Sequence, residues 1–499
     1  MTSPHSAHTE HGHGHEQEHG HGHHHGEAPP PHPHRWWLLT LLCLAQFMLI
    51  ADVTVINVAL PTIGADLKLG GGALTWIVTA YTLFFGSLLL LGGRLADAVG
   101  KLRMFLTGLT VFTAASIASG LAVNGEMLIA FRSAQGVGAA LLSPAAMSII
   151  TTLFHGPDRN KALGVWASIG GAGSAVGVLL GGVFVSGPGW EWIFYINVPV
   201  GLLALFGVPA LLGEARALTG ATEQRGGTDV LGALTLTAAP ALLIFGLVQA
   251  RDHGFGAVSV WLPLAAAALV AGLFYAVERT VRQPLVRLDL LARRSLVGGS
   301  LVMLAAAGLL ISTFFLSSFY VQHVLGNSAL KTGLVFLPVA VAISVGAHLG
   351  SQAVGRLGWR AVGVGAFVLA AVGAVLLTNL SKDSDVWTDL VPGFGLLSFG
   401  LGAAFVCATT AAMNGLPHQD MGLASGLVST SHELGASLGV AVISAIAGAG
   451  LEGGPGVGVG GFDNAFTACA VIAVAAAVAG AVLLPAGRPD PSQGPVFAH

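Results

Sequence analysis

Three ionisable side chains interrupt otherwise apolar stretches of this chain: Asp52, Arg132 and Glu433. A charge held in such a setting is costly, so its presence points to a proton or ion path. Asp52 lies about 16 residues into its stretch, roughly 24 Å along a helix that rises 1.5 Å per residue. Arg132 lies about five residues from the far end of its own stretch, at a similar depth by the same rise. Burial favours the neutral acid of a carboxyl group and a neighbouring guanidinium favours the anion. A carboxyl that meets the two conditions in turn takes up and releases a proton, and this is the chemistry expected of Asp52 with Arg132. The plainer reading is that Asp52 bonds nearby backbone or the Asn57 region, and that Arg132 is an anchor. Glu433 is about 11 residues, roughly 16 Å, into its stretch. It is a candidate second protonation site or a counter-charge for a cation, against a packing partner for an interior polar group. His432 points about a quarter-turn away from it on a helix. His432 and His348 are read as hydrogen-bonded structural residues.

Two further patterns concern movement more than chemistry. Gly93-Arg94-Leu95-Ala96-Asp97-Ala98-Val99-Gly100-Lys101-Leu102-Arg103 places a base and an acid between two glycines, with two more bases just beyond the second. Gly93 and Gly100 permit a tight turn or close helix approach. Asp97 is expected to cap a helix N-terminus or pair with an arginine and so latch one conformation; an ordinary basic loop is the alternative for Lys101, Arg103 and their neighbours. Farther on, glycines recur at Gly164, Gly173, Gly177, Gly181 and Gly182. The last four are expected to form one smooth stripe on which another helix packs closely.

The elements that must position these residues are membrane helices. Of 499 residues only 9% are Asp, Glu, Lys or Arg, and mean hydropathy is +0.77. A soluble domain carries about 25% charged residues. A spanning helix needs about 20 mostly apolar residues. Fourteen stretches fit, at 36–60, 73–93, 104–123, 127–151, 162–186, 193–212, 229–249, 258–277, 296–320, 330–354, 361–380, 390–412, 422–447 and 464–485. The first is too long for a signal-peptide core and is expected to be a permanent span. With the N-terminus placed inside, sixteen of the 21 Lys and Arg fall in inner segments, and Lys68, Arg251, Lys331 and Lys382 fall outside. This asymmetry predicts an even number of spans with both termini cytoplasmic.

Residues 1–34 differ in kind. They carry twelve of the 19 histidines, including His19, His21, His23, His24 and His25, and are expected to be a disordered cytoplasmic tail. The remaining expected units are a six-helix half at 35–212, a cytoplasmic loop at 213–228, inserted helices at 229–277, an amphipathic linker at 278–295 along the inner membrane surface, a second six-helix half at 296–485, and a short tail at 486–499. Ala98-Val99-Gly100-Lys101-Leu102 and Ala353-Val354-Gly355-Arg356-Leu357 are similar strings, each after the second span of its half. Repeated halves with a site between them are a transporter architecture. Cys43, Cys407 and Cys469 lie in apolar segments and are expected as buried thiols. The net charge of −3 gives no basic field for nucleic acid.

These residues together resemble the major facilitator superfamily, and within it the fourteen-span drug:proton antiporters, over roughly residues 36–485. Gly93–Arg103 is similar to the family's loop 2–3 motif. Leu128–Ala140 resembles the span 4 motif, whose arginine, here Arg132, is associated with proton coupling. The glycines of 162–186 resemble the antiporter motif of span 5, although Val178 follows Gly177 where the family has proline. Ala51–Pro61 and Trp190–Gly201 resemble further motifs of the fourteen-span group, with Glu191 where arginine is usual.

The resemblance implies an all-α fold of two six-helix halves plus two inserted central helices. It implies a proton-driven exporter of amphipathic drugs or antibiotics in a bacterial inner membrane, with protons, a small molecule and the bilayer as partners and no cofactor. Trp76, Tyr81, Met303, Phe314 and Phe315 are candidate lining residues. One alternative is the same machine with one cargo, such as an endogenous antibiotic, a siderophore or an amino acid. Another is metal efflux tied to the histidine tail, since imidazoles bind zinc, nickel and copper; a sensor or scaffold is a third. No nucleophile motif or P-loop is present, so an enzyme or ATP-driven pump is not expected.

Overall fold

The structure is a computed structural model that describes residues 33–154, 156–213, 220, 229–254, 256–281, 284–417, 420–448 and 459–488. The tail histidines His19 to His25, most of the 213–228 loop and residues 489–499 lie outside the described residues. Among the described residues all regular structure is helical: α1 (Arg35–Asp66), α2 (Gly71–Val99), α3 (Lys101–Gly120), α4 (Gly125–Leu153), α5 (Gly156–Ser186), α6 (Trp192–Tyr195), α7 (Asn197–Leu212), α8 (Val230–His253), α9 (Val258–Thr280), α10 (Leu288–Leu291), α11 (Arg294–Phe319), α12 (Ala329–Leu357), α13 (Trp359–Leu377), α14 (Val391–Met413), α15 (Met421–Ala447) and α16 (Gly460–Leu483).

Thirteen of these, α6 and α7 counting as one, are long and apolar enough to cross a membrane. Helix α5 is 31 residues long and stands where the fifth span is expected, with Gly173–Ser186 as its described apolar part. The helices overrun the expected spans. Helix α1 passes through Pro61 to Asp66 instead of stopping at residue 60, as proline is tolerated in membrane helices when neighbours satisfy the freed backbone.

Helices α1 to α7 pack among themselves, chiefly α2 and α3 on α4, and α1 on α5 and α7. Helices α11 to α16 form a second group, with α12 and α13 on α14, α11 on α15, and α13 on α16. The groups meet along two seams, α2 against α15 and α5 against α12, with a lighter contact of α1 on α11. Helices α8 and α9 pair with each other, and α8 lies across both α2 and α15. Large apolar side chains such as Val258, Leu262, Leu269, Val341 and Val474 are exposed, as a lipid-facing surface requires.

Two local expectations change. Gly100, at φ +114°, is the one-residue junction of α2 and α3, a backbone that glycine adopts without strain. Its counterpart by position is Gly358, at φ +86° between α12 and α13. The matched Gly355 lies inside α12, so the two strings are similar in sequence but offset in structure. The 278–295 segment is not one surface helix: α9 ends at Thr280, α10 is a single turn, α11 begins at Arg294, and Leu285, Val286 and Leu290 are buried in the core.

Candidate functional site

Asp52 on α1 and Arg132 on α4 meet in the interior, 4% and 1% exposed. Arg132 Nη1 donates to Asp52 Oδ2. The other carboxylate oxygen, Oδ1, accepts from Gln135 Nε2 at 3.3 Å and from Asn197 Nδ2 at 3.1 Å. Three N–H donors thus face the carboxyl from α4 and α7, an arrangement suited to the anion.

Arg132 is held independently of Asp52. Its Nε donates to Ile77 O at 3.2 Å and its Nη1 to Gln135 Oε1 at 3.0 Å. Its guanidinium carbon lies 4.5 Å from the centroid of the buried Tyr81 ring, within cation–π range. An outer ring of hydroxyls closes the cluster. Asn197 also donates to Ser116 Oγ at 3.0 Å, Ser116 donates to Phe194 O at 2.9 Å, and Ser119 donates to Gln135 Oε1 at 3.4 Å. The cluster joins α1, α2, α3, α4 and α7. The expected alternative for Asp52 is not what the geometry holds, because Asn57 turns its amide to Val53 O at 2.8 Å.

Gln135 and Asn197 are members that reasoning from charge alone missed. Gln135 stands three residues beyond Arg132, on the same helix face. Asn197 opens α7 from within the matched Trp190–Gly201 segment.

Glu433 lies apart from this cluster. It sits on α15 and packs over Gly86 of α2, where a Cβ would lie 3.3 Å from Leu434 N. Its Oε1 pairs with His432 Nδ1 at 3.1 Å; the expected divergence of the two side chains is overcome by the length of the glutamate. The same α2–α15 seam carries Thr75 Oγ1 to Ser444 Oγ at 2.5 Å and Thr82 Oγ1 to Ser437 Oγ at 2.6 Å.

The loop residues are placed differently from expectation. Asp97 lies within electrostatic reach of Lys101 and Arg94 and bonds neither. Among the described residues it caps no helix: α3 follows Gly100, its N-cap, with no side-chain cap bond. Lys101 Nζ instead reaches Thr152 Oγ1 at the end of α4, at 2.8 Å. Gly93 faces Pro144 of α4, and Arg103 is exposed.

The glycines of α5 do not form one stripe. Gly173, Gly177 and Gly181 lie against α1, at Ile50, Ala51 with Thr54, and Val55 with Val58. Gly182 turns to Ala329 and Leu330 of α12, since one residue is about 100° on a helix. Gly164 faces open space. A Cβ at Gly177 would overlap the Thr54 hydroxyl, two residues from Asp52.

An open groove of about 420 Å³ lies between α5 and α12, lined by Ala175, Ala340, Val341, Ser344, Val345, His348 and Leu349. His348 contacts Gln352 Nε2 at 3.0 Å through its Nε2. The aromatic candidates are elsewhere: Phe314 packs edge-on to Phe336 and Phe394, and Tyr81, Met303 and Phe315 are buried. Met303, Phe314 and Phe315 belong to the hydrophobic core, Tyr81 is taken up by Arg132, and Trp76 is partly buried. Among the described residues no three His, Cys, Asp or Glu gather as metal ligands.

The model of the Major Facilitator Superfamily matches residues 42–440. The chain is 37% identical to the cephamycin export protein CmcT of Amycolatopsis lactamdurans, over 91% of this chain and 93% of that one. It is also 37% identical to the puromycin resistance protein pur8 of Streptomyces alboniger, over 83% and 82% of the two chains. The identity to the lincomycin resistance protein of Streptomyces lincolnensis is again 37%, over 83% and 84%. Among solved structures, a bacterial homologue of the human lysosomal transporter Spinster, inward-facing and occupied, superposes with a TM-score of 0.63 at 17% identity, over 90% of this chain and 96% of that one. That likeness concerns the fold.

Proposed function

The chain belongs to the Major Facilitator Superfamily, and from that premise we propose that it is a proton-coupled antiporter that exports amphipathic drugs or antibiotics by alternating access. The observation that carries the coupling is the Asp52 cluster. A buried carboxylate held by Arg132, Gln135 and Asn197 ties α1 to α4 and α7. A proton on Asp52 removes the charge that holds Arg132, while Arg132 keeps Ile77 O, Gln135 and the Tyr81 face. Helix α1 is then released from α4 and can slide over the glycines of α5. Protonation thereby biases the exchange between inward- and outward-open states.

Cargo enters this reading through the relatives, whose names concern cephamycin export and resistance to puromycin and lincomycin. It also enters through the α5–α12 groove, which is mostly apolar with Ser344 and His348 as its polar groups. The basic ends of the helices face the cytoplasm in this account, so both termini lie inside a bacterial cell membrane. Gly93, Asp97, Gly100, Lys101 and Arg103 then form the inner gate, and Glu433 with His432 is a second protonatable pair on the α2–α15 seam.

The reading is tested in an efflux-deficient bacterial host challenged with a panel of antibiotics. The wild-type chain raises resistance to at least one amphipathic compound. Asp52→Asn, present at the same level in the membrane, restores susceptibility; equal protection by the variant contradicts the proposal.

A further inference from the structure

The inserted helices bring a second pair of acids into the interior, at the end of the bundle that carries Arg94. Asp229 caps α8, its Oδ1 accepting from Gly232 N at 2.7 Å. Glu278 stands in the last turn of α9, its Oε2 accepting at 3.0 Å from Val286 N in the segment that leads to α10. The two residues are 4% and 3% exposed. Each carboxyl has one oxygen matched to a backbone N–H. The other oxygen of each, Asp229 Oδ2 and Glu278 Oε1, is buried with no hydrogen-bond donor.

Both unmatched oxygens border the same small space. A Cβ on Gly232 would lie 2.7 Å from Glu278 Oε1 and would also overlap Asp229 Oδ2. Like charge and desolvation both oppose two anions in such a space. One proton between them resolves this at once: it removes one charge, turns one oxygen into a donor and gives the other a partner. Among the described residues the charged groups acting on Glu278 are Asp229 from α8 and Arg94 from α2. Among the described linker residues, Pro284 offers its carbonyl oxygen to Arg94 Nη2. Of the described basic residues nearby in the chain, Arg279 is exposed and lies 5.7 Å from the Tyr275 ring, and Arg287 is engaged with Asp289 and Asp420 at 2.6 and 2.9 Å.

We propose that Asp229 and Glu278 form a proton-binding site, a carboxylic acid–carboxylate pair that holds one proton and is separate from Asp52. With that proton bound, the single remaining charge is balanced by Arg94. Loss of the proton leaves two negative charges against one positive charge. The acids then repel, and Glu278 loses its fixed position under Val286 N. The consequence is regulatory: the site fastens α8 and α9 to the buried linker and, through Arg94, to the end of α2 that carries Asp97. It releases them as pH at that face rises.

Infrared spectroscopy of the full-length protein in lipid tests this through the stretch of a protonated carboxyl. Wild type should show a band at neutral pH that disappears on alkaline titration. The band should persist in Asp52→Asn and be lost in both Asp229→Asn and Glu278→Gln. Both variants keep an oxygen for the backbone N–H, and their amides replace the proton as donor, so the fold is retained. Absence of the band from folded wild type, or its persistence in either variant, overturns the shared site. The wild-type measurement is decisive even if a variant fails to fold.

Discussion

Arg132→Met strips the Asp52 carboxylate of its cationic partner while leaving it buried. The substitution removes the bond to Asp52 Oδ2, those to Ile77 O and Gln135 Oε1, and the stacking on Tyr81. Asp52 keeps only Gln135 and Asn197. Breaking a buried ion pair by deleting one partner costs about 3–5 kcal/mol, because the other charge is left uncompensated. In an Asp52→Asn background that charge is absent, so the same arginine substitution costs less. The difference, the coupling between the two residues, is expected at about 0.5–3 kcal/mol, the range for residues in direct contact. The assay is unfolding of the purified protein and of the three variants by SDS in mixed micelles, followed by far-ultraviolet circular dichroism. If the two single effects add to the double effect within about 0.5 kcal/mol, the residues do not interact and the cluster described above is wrong.

Gly177→Val pushes α1 from α5. Its Cβ would lie 2.9 Å from Ala51 O and 3.0 Å from Ala51 Cα, against carbon contacts of about 3.5–4.0 Å, so the helices must part by about 0.5–1 Å. Vesicle transport should fall at least about tenfold, the scale of a barrier raised by roughly 1.4 kcal/mol, whereas Gly164→Ala, facing open space, should match wild type. Thr75→Cys with Ser444→Cys replaces hydroxyls 2.5 Å apart on α2 and α15. Oxidation of that pair should stop transport and reduction restore it; a cross-linked protein that still transports would show that this seam need not open.

The helical spans, their order and the fold class were legible in the sequence because a bilayer imposes length and apolarity that soluble folds do not. The rarity of intramembrane charge also singled out Asp52 and Arg132, and their equal depth reflected a direct contact. Gln135 and Asn197 were less visible, since neutral amides cost less in a span and acquire their role only from what they face. The α5 glycines were misjudged as one stripe because spacing near four cannot distinguish Gly181 from Gly182, which lie on different neighbours. Asp97 carried a capping expectation that depends on which N–H groups lie within reach, and tertiary packing assigns Gly100 to that junction. Asp229 and Glu278 were hidden because each stands at the end of a span, where a charge normally reaches water. The burial of Leu285 and of Val286, whose N–H bonds Glu278, encloses them.

The coupling claim rests on Asp52 as the exchanged-proton site, and one measurement tests it most directly. Purified protein in proteoliposomes, with an imposed pH gradient and a drug chosen from the susceptibility panel, reports drug movement and proton counter-movement together. Wild type should exchange drug for protons. Asp52→Asn should retain drug binding and lose gradient-driven exchange, with no proton movement on drug addition. Full drug–proton exchange by Asp52→Asn would contradict the account.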